Sequence, residues 1–356
     1  MTWLITGGAG FIGSNLVRAQ VAAGRRVVNL DALTYAGNLQ SLATAPSVID
    51  HRDHVFVRGD IGDRALLDRL FDEHRPTAVL HLAAESHVDR SIVDAGAFVR
   101  TNVVGTYTLL EAATRYHRAL GPTDAAGFRF VHVSTDEVYG SLGPDDPPFN
   151  EASPYRPSSP YAASKAASDH FARAFCKTHG LPVIVTHCSN NYGPYQFPEK
   201  LVPLMILNAL ARWPLPVYGD GRHVRDWLHV ADHCEALALV AERGVPGETY
   251  DIGGGAERAN LEVVHHVCDR LDALRPDGPP RRELIAFIGD RRGHDRRYAI
   301  DAGKITRELG WRPRHAFGEG LDRTIDWYVA NPAWIESVQT GAYRAWIERH
   351  YRGLAP

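Results

Sequence analysis

Lysine is scarce in this chain. Of its 39 basic residues only Lys165, Lys177, Lys200 and Lys304 are lysine. Arginine supplies the rest, which reads as the mark of a GC-rich genome and not as a binding surface. The formal net charge is -3, so nothing calls for a nucleic-acid partner or an acidic membrane surface. Cysteine is sparse too: Cys176, Cys188, Cys234 and Cys268 are scattered and form no CxxC pair. That excludes a disulfide framework and fits a reducing compartment. No apolar run approaches the roughly 20 residues needed to span a bilayer. The opening "TWLIT" reads directly as a strand, with no basic segment and cleavage site ahead of it. A cytoplasmic protein is expected. Internal repeats, coiled-coil heptads and low-complexity segments are absent as well.

What remains is an ordinary globular composition, 44% hydrophobic and 23% charged over 356 residues, long enough for a large core and two lobes. Short apolar runs alternate with amphipathic stretches in the first half. Strands are expected at Thr2–Thr6, Arg26–Leu30, Val55–Arg58, Ala78–His81, Phe128–Val133 and Val183–His187. Helices are expected at Ile12–Ala22, Ala65–Glu73 and Val99–His117. This alternation predicts an α/β fold with a Rossmann-type doubly wound parallel sheet. Ligands in such folds sit at the carboxyl ends of the strands. After Asn190 the pattern loosens into loops rich in Pro, Gly and aromatics, read as a smaller C-terminal substrate-binding lobe. The division expected is 1–189 plus about 226–252 for an NAD-binding domain, and 190–225 plus 253–356 for a sugar-nucleotide-binding lobe.

"TWLITGGAGFIGSNL" places Gly7, Gly10 and Gly13 between a strand and a helix. Glycines let the backbone turn tightly and approach a pyrophosphate. The helix amino end then offers free N–H groups and a positive dipole to it. Asp31 ends the next strand, where a carboxylate accepts from a ribose diol and repels a 2′-phosphate, so NAD is favoured over NADP. Asp60 and Ile61 end a third strand and could flank the adenine. Leu82, Ala83, Ala84 and Ser86 follow the fourth, where the small side chains would let a cofactor lie close to backbone.

In "YAASK", Tyr161 and Lys165 are four apart and share one helix face. A tyrosine titrates near 10, so acting as a base near neutrality requires a fall of roughly 3 units. A nearby ammonium and the positive nicotinamide ring can supply it. With "GGAGFIG", and with Thr135 after a strand, this pattern resembles the extended short-chain dehydrogenase/reductase family. The resemblance implies that Thr135 holds the substrate hydroxyl, Tyr161 takes its proton, and Lys165 binds the ribose and lowers the tyrosine pKa. Phe11, Ile12, Ala32, Leu33, Thr34 and Thr101 complete the cofactor set, and Asn191 would sit by the nicotinamide.

"VHVSTDEVYGS" adds two adjacent acids, Asp136 and Glu137. Hydride transfer alone does not need them. They suit an elimination: once a sugar is a ketone at C4, its C5 hydrogen is acidic. One ionised carboxylate can remove it while a protonated carboxyl expels the C6 hydroxyl as water. Two close acids separate their pKa values in just this sense. Against this, neighbours on a strand face opposite ways, so only one acid would see the pocket, unless the strand ends there. "STDEVYGS", "AAESHVDRS", "LDALTYAGNL", "SNNYGPYQFPEKL" and "RDWLHVADH" resemble the dTDP-glucose 4,6-dehydratase family across nearly the whole chain. In that family the Asp of "TDE" is the acid at C6 and the Glu is the base at C5.

The same resemblance implies a nucleotide-sugar partner. Ser86 and Thr135 would contact the sugar, Asn190, Lys200 and Leu201 the diphosphate, and Pro216, Val217 and Tyr218 the base. Arg225 would pair with a phosphate, and Asn260, Asp290, Arg291, Arg292, Gly293 and His294 would complete the pocket. It also implies a homodimer, paired through the helix ending near His117 and the one after Tyr161. His229 and His233 are four apart, but no third ligand accompanies them and no metal is expected. The alternatives are a 4,6-dehydratase or 4-epimerase for a UDP- or GDP-sugar, and an NAD-binding regulatory protein without turnover. The latter would not need Tyr161 and Lys165.

Overall fold

The structure is a computed structural model and describes residues 1–290 and 293–339. Arg291 and Arg292 therefore lie outside the described residues, as do residues 340–356. Twelve strands are described, in chain order β1 (Thr2–Thr6), β2 (Arg26–Asp31), β3 (His54–Arg58), β4 (Ala78–His81), β5 (Arg129–Thr135), β6 (Val183–Cys188), β7 (Asn190–Tyr192), β8 (Leu215–Tyr218), β9 (Val224–His229), β10 (Thr249–Ile252), β11 (Glu257–Ala259) and β12 (Ile285–Ile288).

Seven of them form one sheet in the order β10-β6-β5-β4-β1-β2-β3, with every neighbouring pair parallel. Parallel strands are covered on both faces, which is why "RVVNLD" and "VIVTHC" are buried almost end to end. One face packs Leu16 and Val17 of the helix Phe11–Ala22 and Leu237 and Val240 of the helix Val230–Arg243. The other packs Leu67, Leu109, Ala113 and Ala172 from the helices Arg64–His74, Thr106–Ala119 and Pro160–His179. The strand order reverses between β1 and β4, and a crevice opens at their carboxyl ends.

Local chemistry sets the helix that matters most for the site. Ser159 caps Pro160–His179 by accepting from the Ala162 N–H at 3.1 Å, and Pro160 stands at the first helical position. Gly180, at φ +70, ends it. The stretch expected to be one helix from Val99 is instead a π-helical segment, Val99–Gly105, followed by the α-helix Thr106–Ala119. A side chain at Gly105 would strike Ile61 at 2.8 Å. The wide turn sets the helix against that residue and brings Thr101 to the crevice.

A single residue, Ser189, separates β6 from β7, where the chain leaves the large sheet. β7 pairs parallel with β9, and β9 pairs antiparallel with β11. β8 and β12 form a parallel pair nearby. These strands pack with Ile206, Val264, Leu271, Leu321 and Ile325 of three helices into a second hydrophobic core. The chain then returns through Val230–Arg243 to β10, at the edge of the large sheet. Among the described residues no helix is long and apolar enough to cross a membrane.

Candidate active site

The crevice begins at the glycine turn. Gly7 has φ +74, and a side chain there would come within 2.7 Å of the Ala83 N–H nitrogen. At Gly13 it would lie 2.1 Å from the Gly7 carbonyl oxygen. The two glycines hold the loop against the backbone after β4, and Gly10 caps the helix Phe11–Ala22. That loop is itself pinned: Ala83 N–H donates to Thr6 Oγ1 at 3.2 Å, and Thr6 bonds His81 Nδ1 at 2.7 Å.

Asp31 ends β2. Its carboxylate accepts from the Ala9 N–H at 2.9 Å and the Leu33 N–H at 2.7 Å. Burial raises its pKa, and the two backbone bonds oppose that. Leu33, at φ +53, contributes its backbone here and does not line the crevice. Asp60 accepts from the Gly62 N–H at 2.7 Å, which closes the turn after β3. Gly7, Gly10, Phe11, Ile12, Gly13, Asp31, Ala32, Thr34, Asp60, Ile61, Leu82, Ala83, Ala84, Ser86, Thr101 and Asn191 all line this one cavity.

The cavity continues to the reaction centre. β5 runs to Thr135, two residues further than expected, and a single turn of 3₁₀ helix, Asp136–Tyr139, follows. The acids thus sit on a turn, and the strand rule of opposite faces does not apply to them. Thr135, Asp136, Glu137, Tyr161 and Lys165 all line the cavity. Thr135 Oγ1 donates to Asp136 Oδ1 at 3.3 Å and accepts from the Glu137 N–H at 3.3 Å. Asp136 is 2% exposed, whereas Glu137 is only half-buried. Burial, then the charges of Glu137 and Asp226, push the Asp136 carboxyl well above the usual carboxylate range, against the pull of Arg225. A protonated Asp136 beside Glu137 is the asymmetry an acid–base pair requires.

The expected fall in the Tyr161 pKa does not come from the protein surroundings alone. The phenol of Tyr161 is raised, not lowered, by its protein surroundings: burial first, then Glu137 and Cys188, opposed by a hydrogen bond with Thr135. Lys165 Nζ donates to the Val133 carbonyl at 2.8 Å.

Of the residues assigned to substrate, Ser86, Thr135, Asn190 and Lys200 line the cavity. Lys200 Nζ donates to the Ser86 carbonyl at 2.8 Å. Leu201 opens a helix and packs on the second core, and Val217 is 2% exposed within that core. Pro216, Tyr218, Arg225, Asn260, Asp290, Gly293 and His294 stand outside the cavity. Arg225 lies over the Tyr298 ring at 4.4 Å, close enough to act on Asp136. Tyr218 reaches Asp89 at 3.5 Å and packs edge-on to His294 at 6.0 Å. Gly293, at φ +68, passes the Ser158 carbonyl just before the Tyr161 helix.

Sequence reasoning missed Glu85, Cys188, Ser189, Gln196, Phe197 and Glu199, which also line the cavity. All but Glu85 lie on or just before the Pro- and aromatic-rich stretch after β6. Position after a strand's carboxyl end was the available signal. Several of these groups are orphaned: Ser189 Oγ, Gln196 Oε1 and Glu199 Oε1, like Asn190 Oδ1 and Asp136 Oδ2, are buried without a hydrogen-bond partner among the described residues. A cavity floored by glycine backbone and fringed by such atoms fits a dinucleotide with a polar sugar beyond it.

His229 and His233 turn apart. His229 accepts from the Ala231 N–H at 3.3 Å, and His233 Nδ1 bonds Asn191 Oδ1 at 2.9 Å. A second cluster joins His223, Asp290 and His294, whose ligand atoms lie within 4.8 Å of one another. Its two rings stack at 3.7 Å and 15°. Near-parallel rings aim their lone pairs side by side and not at one point. Hydrogen bonding to Asp290 describes the cluster better than metal ligation.

Comparisons with known proteins fall in line with this geometry. The family model described as GDP-mannose 4,6 dehydratase matches residues 4–324. A dTDP-glucose 4,6-dehydratase of Xanthomonas campestris pv. campestris (strain B100) is 61% identical over 345 residues, covering 96% of this chain and 97% of that protein. One from Salmonella typhimurium is 55% identical over 362 residues, covering 99% of each. Among solved structures, the Streptomyces venezuelae dTDP-glucose 4,6-dehydratase with NAD bound aligns with TM-score 0.86 and 49% identity, covering 95% of this chain and 100% of that one. The Thermus thermophilus UDP-glucose 4-epimerase with NAD is more distant, at TM-score 0.80 and 31% identity over 92% and 99%. Similarity above half identity across nearly every residue places this chain in the dTDP-glucose 4,6-dehydratase family.

Proposed function

We propose that the protein is a hydro-lyase that converts dTDP-glucose to dTDP-4-keto-6-deoxyglucose, with NAD as a recycled cofactor. The observation that carries this reading is the pairing of a deeply buried Asp136 with a more open Glu137 on one turn, beside Thr135, Tyr161 and Lys165. An epimerase acting by oxidation, rotation and reduction has no use for such a pair.

Gly7, Gly10 and Gly13 would hold the pyrophosphate, Asp31 the adenosine ribose, and Lys165 the nicotinamide ribose. The chemistry NAD supplies when bound is reversible hydride acceptance, so none is consumed. Thr135 orients the C4 hydroxyl and Tyr161 takes its proton. Glu137 removes the C5 proton from the 4-ketone. Asp136 gives its proton to the C6 hydroxyl, the C–O bond breaks, and water leaves a C5–C6 double bond. The proton held by Glu137 returns to C5 as a hydrogen is restored at C6, and the proton Tyr161 took from the C4 hydroxyl replaces the one Asp136 gave to water, so both groups are reset. Burial keeps the Asp136 proton available for that step. The first part of the chain, through residue 189 with about 226–252, is assigned to the cofactor, and the remainder to the sugar nucleotide.

A homodimer is part of the proposal. Val99, Val104, Tyr107 and Phe171 are large apolar side chains left exposed on the segment Val99–Ala119 and the helix Pro160–His179, and Tyr107 and Phe171 meet edge-on at 6.0 Å. A second copy would cover that face. The cytoplasm is the compartment we assign, in keeping with four free cysteines.

The test is direct. Purified protein incubated with dTDP-glucose and then treated with alkali is expected to develop the near-ultraviolet absorbance of a 4-keto-6-deoxy sugar. No absorbance, with UDP-galactose formed from UDP-glucose instead, would replace the dehydratase by an epimerase.

A further inference from the structure

Behind the reaction centre lies a buried polar array that the reaction as described does not use. Asp169 stands four residues after Lys165 and eight after Tyr161, on the same face of the helix Pro160–His179. Its carboxylate collects four donors. His132 Nε2 bonds Oδ1 at 3.0 Å, while Ser134 Oγ, Tyr155 OH and His187 Nε2 reach Oδ2 at 2.9, 3.0 and 3.2 Å. On the far side His187 Nδ1 bonds Asp251 Oδ1 at 2.8 Å, and Tyr139 OH donates to the same carboxylate at 3.0 Å. The side chains of His132, Asp169, His187 and Asp251 are all wholly removed from solvent.

Donor geometry fixes the protons. A carboxyl that accepts four hydrogen bonds has no place for a proton of its own, so Asp169 is ionised. His187 lies between two carboxylates, with Tyr155 OH 2.7 Å from Nε2 and Tyr139 OH 2.8 Å from Nδ1, and two flanking negative charges favour the imidazolium. His132 donates from Nε2, and its buried Nδ1 has no partner among the described residues, so that ring is neutral. One imidazolium between two carboxylates leaves one negative charge in excess; of the two cations one helical turn from Asp169, Arg173 reaches Thr249 and the Tyr155 ring, and Lys165, 4% exposed, is the buried one. A buried ammonium without a counter-ion loses its proton.

We propose that Asp169, one helical turn from Lys165 and beyond ion-pair distance of it, is the counter-ion that keeps Lys165 charged while the Val133 carbonyl holds its Nζ, and that the His187–Asp251 pair holds Asp169 in place. Asp169 is a positioning residue: it touches neither sugar nor cofactor and acts through Lys165. This rests on the function proposed above only for the role of Lys165. The pKa directions agree. Burial lowers Lys165 and Asp169 opposes that. Burial would raise Asp169, but its bonds to His132 and His187 pull it well below its ordinary value. Burial would lower His187, but its bonds to Asp169 and Asp251 raise it to about 9. Burial and Lys165 lower His132 to about 4.

The other titratable or charged groups facing the array are His81 on β4, Cys188 on β6, Glu151 and Tyr155 from the loop before the helix, Tyr139 on the acid turn, and His170 and Arg173 on the helix itself. Glu151 accepts from the Asp251 N–H at 3.0 Å, and Arg173 lies 5.0 Å from the Tyr155 ring.

The scarcity of lysine makes the test readable. With four lysines in the chain, ε-carbon-13 labelling gives four side-chain resonances, and Lys165→Arg assigns one. In the NAD-bound protein, Asp169→Asn is expected to lower the Lys165 pKa by at least about one unit. The alkaline limb of C4 oxidation should move down with it, while the KM for dTDP-glucose stays within about twofold. Should Asp169→Asn fail to fold, Asp251→Asn leaves Asp169 neutralised by His187 and is expected to move Lys165 the same way. The double variant His187→Asn/Asp251→Asn removes one charge of each sign and should return it to the parent value. An unchanged Lys165 titration in Asp169→Asn, or in Asp251→Asn, overturns the proposal. So does a uniform loss of activity with no shift of the alkaline limb. Because the resonance is read without substrate, a protein inactive on dTDP-glucose would sink the dehydratase reading and leave this result standing.

Discussion

Replacing Glu137 by Gln separates the two halves of the proposed chemistry. The variant keeps the size of the side chain and its place on the turn after β5. What it loses is a base and a charge. Loss of a positioned base costs roughly 10²–10⁴ in the step it serves, or about 3–5 kcal/mol of barrier. Elimination should slow by that factor, and exchange of the C5 hydrogen with solvent should stop on the same scale. Loss of the charge acts elsewhere. Glu137 is the leading charge raising the Tyr161 phenol and also raises the Asp136 carboxyl. A charge this close shifts a neighbour by roughly 1–3 units. The acid limb of C4 oxidation, which reports deprotonation of Tyr161, should therefore move to lower pH. The assay is a stopped-flow pH series on dTDP-glucose. It follows reduced-nicotinamide absorbance for the first step and deuterium entry at C5 for the second. Absorbance should accumulate in the variant, since oxidation survives and elimination does not. Deuterium exchange at the parent rate would remove Glu137 from the mechanism. An acid limb that stays in place would refute its electrostatic hold on Tyr161.

Tyr161→Phe should block the first step, so that no reduced-nicotinamide absorbance forms with dTDP-glucose; visible formation would count against the tyrosine as base. Gly7→Ala forces a left-handed residue, about 1–2 kcal/mol in itself, and drives a methyl group to 2.7 Å from Ala83; weaker NAD retention on gel filtration is expected, and undiminished retention would argue against the glycine cradle. His187 makes stability fall as pH rises. Its folded pKa, about 9, lies above the ordinary value near 6.5, so its contribution is complete below about 6.5 and disappears as pH passes through about 9. That contribution is on the order of 3 kcal/mol. Urea midpoints measured from pH 6 to 10 should drop in the parent and flatten in His187→Gln, and a parallel drop in both would contradict the assignment.

Much of the large sheet was legible because its signals are local. Alternation of apolar strands with amphipathic helices located six strands of the large sheet to within two residues at either end. Gly7 and Gly13 could be read because a tight turn demands glycine at particular places, and Asp31 because it ends the strand beside that turn. The differences had causes distant in the chain. β5 continues to Thr135 because Ser134 and Thr135 are buried by partners on β6, a pairing no local pattern displays. Gly105, at the end of the π-helical segment, stands against Ile61, a residue far away in the chain. Gln196 and Glu199 carried no motif, and their place in the cavity came from the fold of their loop.

By itself, then, the order of residues determined the sheet, the cofactor turn, the Tyr161–Lys165 spacing and the presence of two adjacent acids, since each depends on neighbours within a few positions. Only the tertiary structure decided how those acids differ. Asp136 is shut away beneath Arg225 and near Asp226, both from another sheet, while Glu137 stays more open. It alone assembled Asp169, His187 and Asp251 from a helix and two strands into one charged array. Burial and long-range charge set proton affinities, and neither quantity exists until distant segments have packed together.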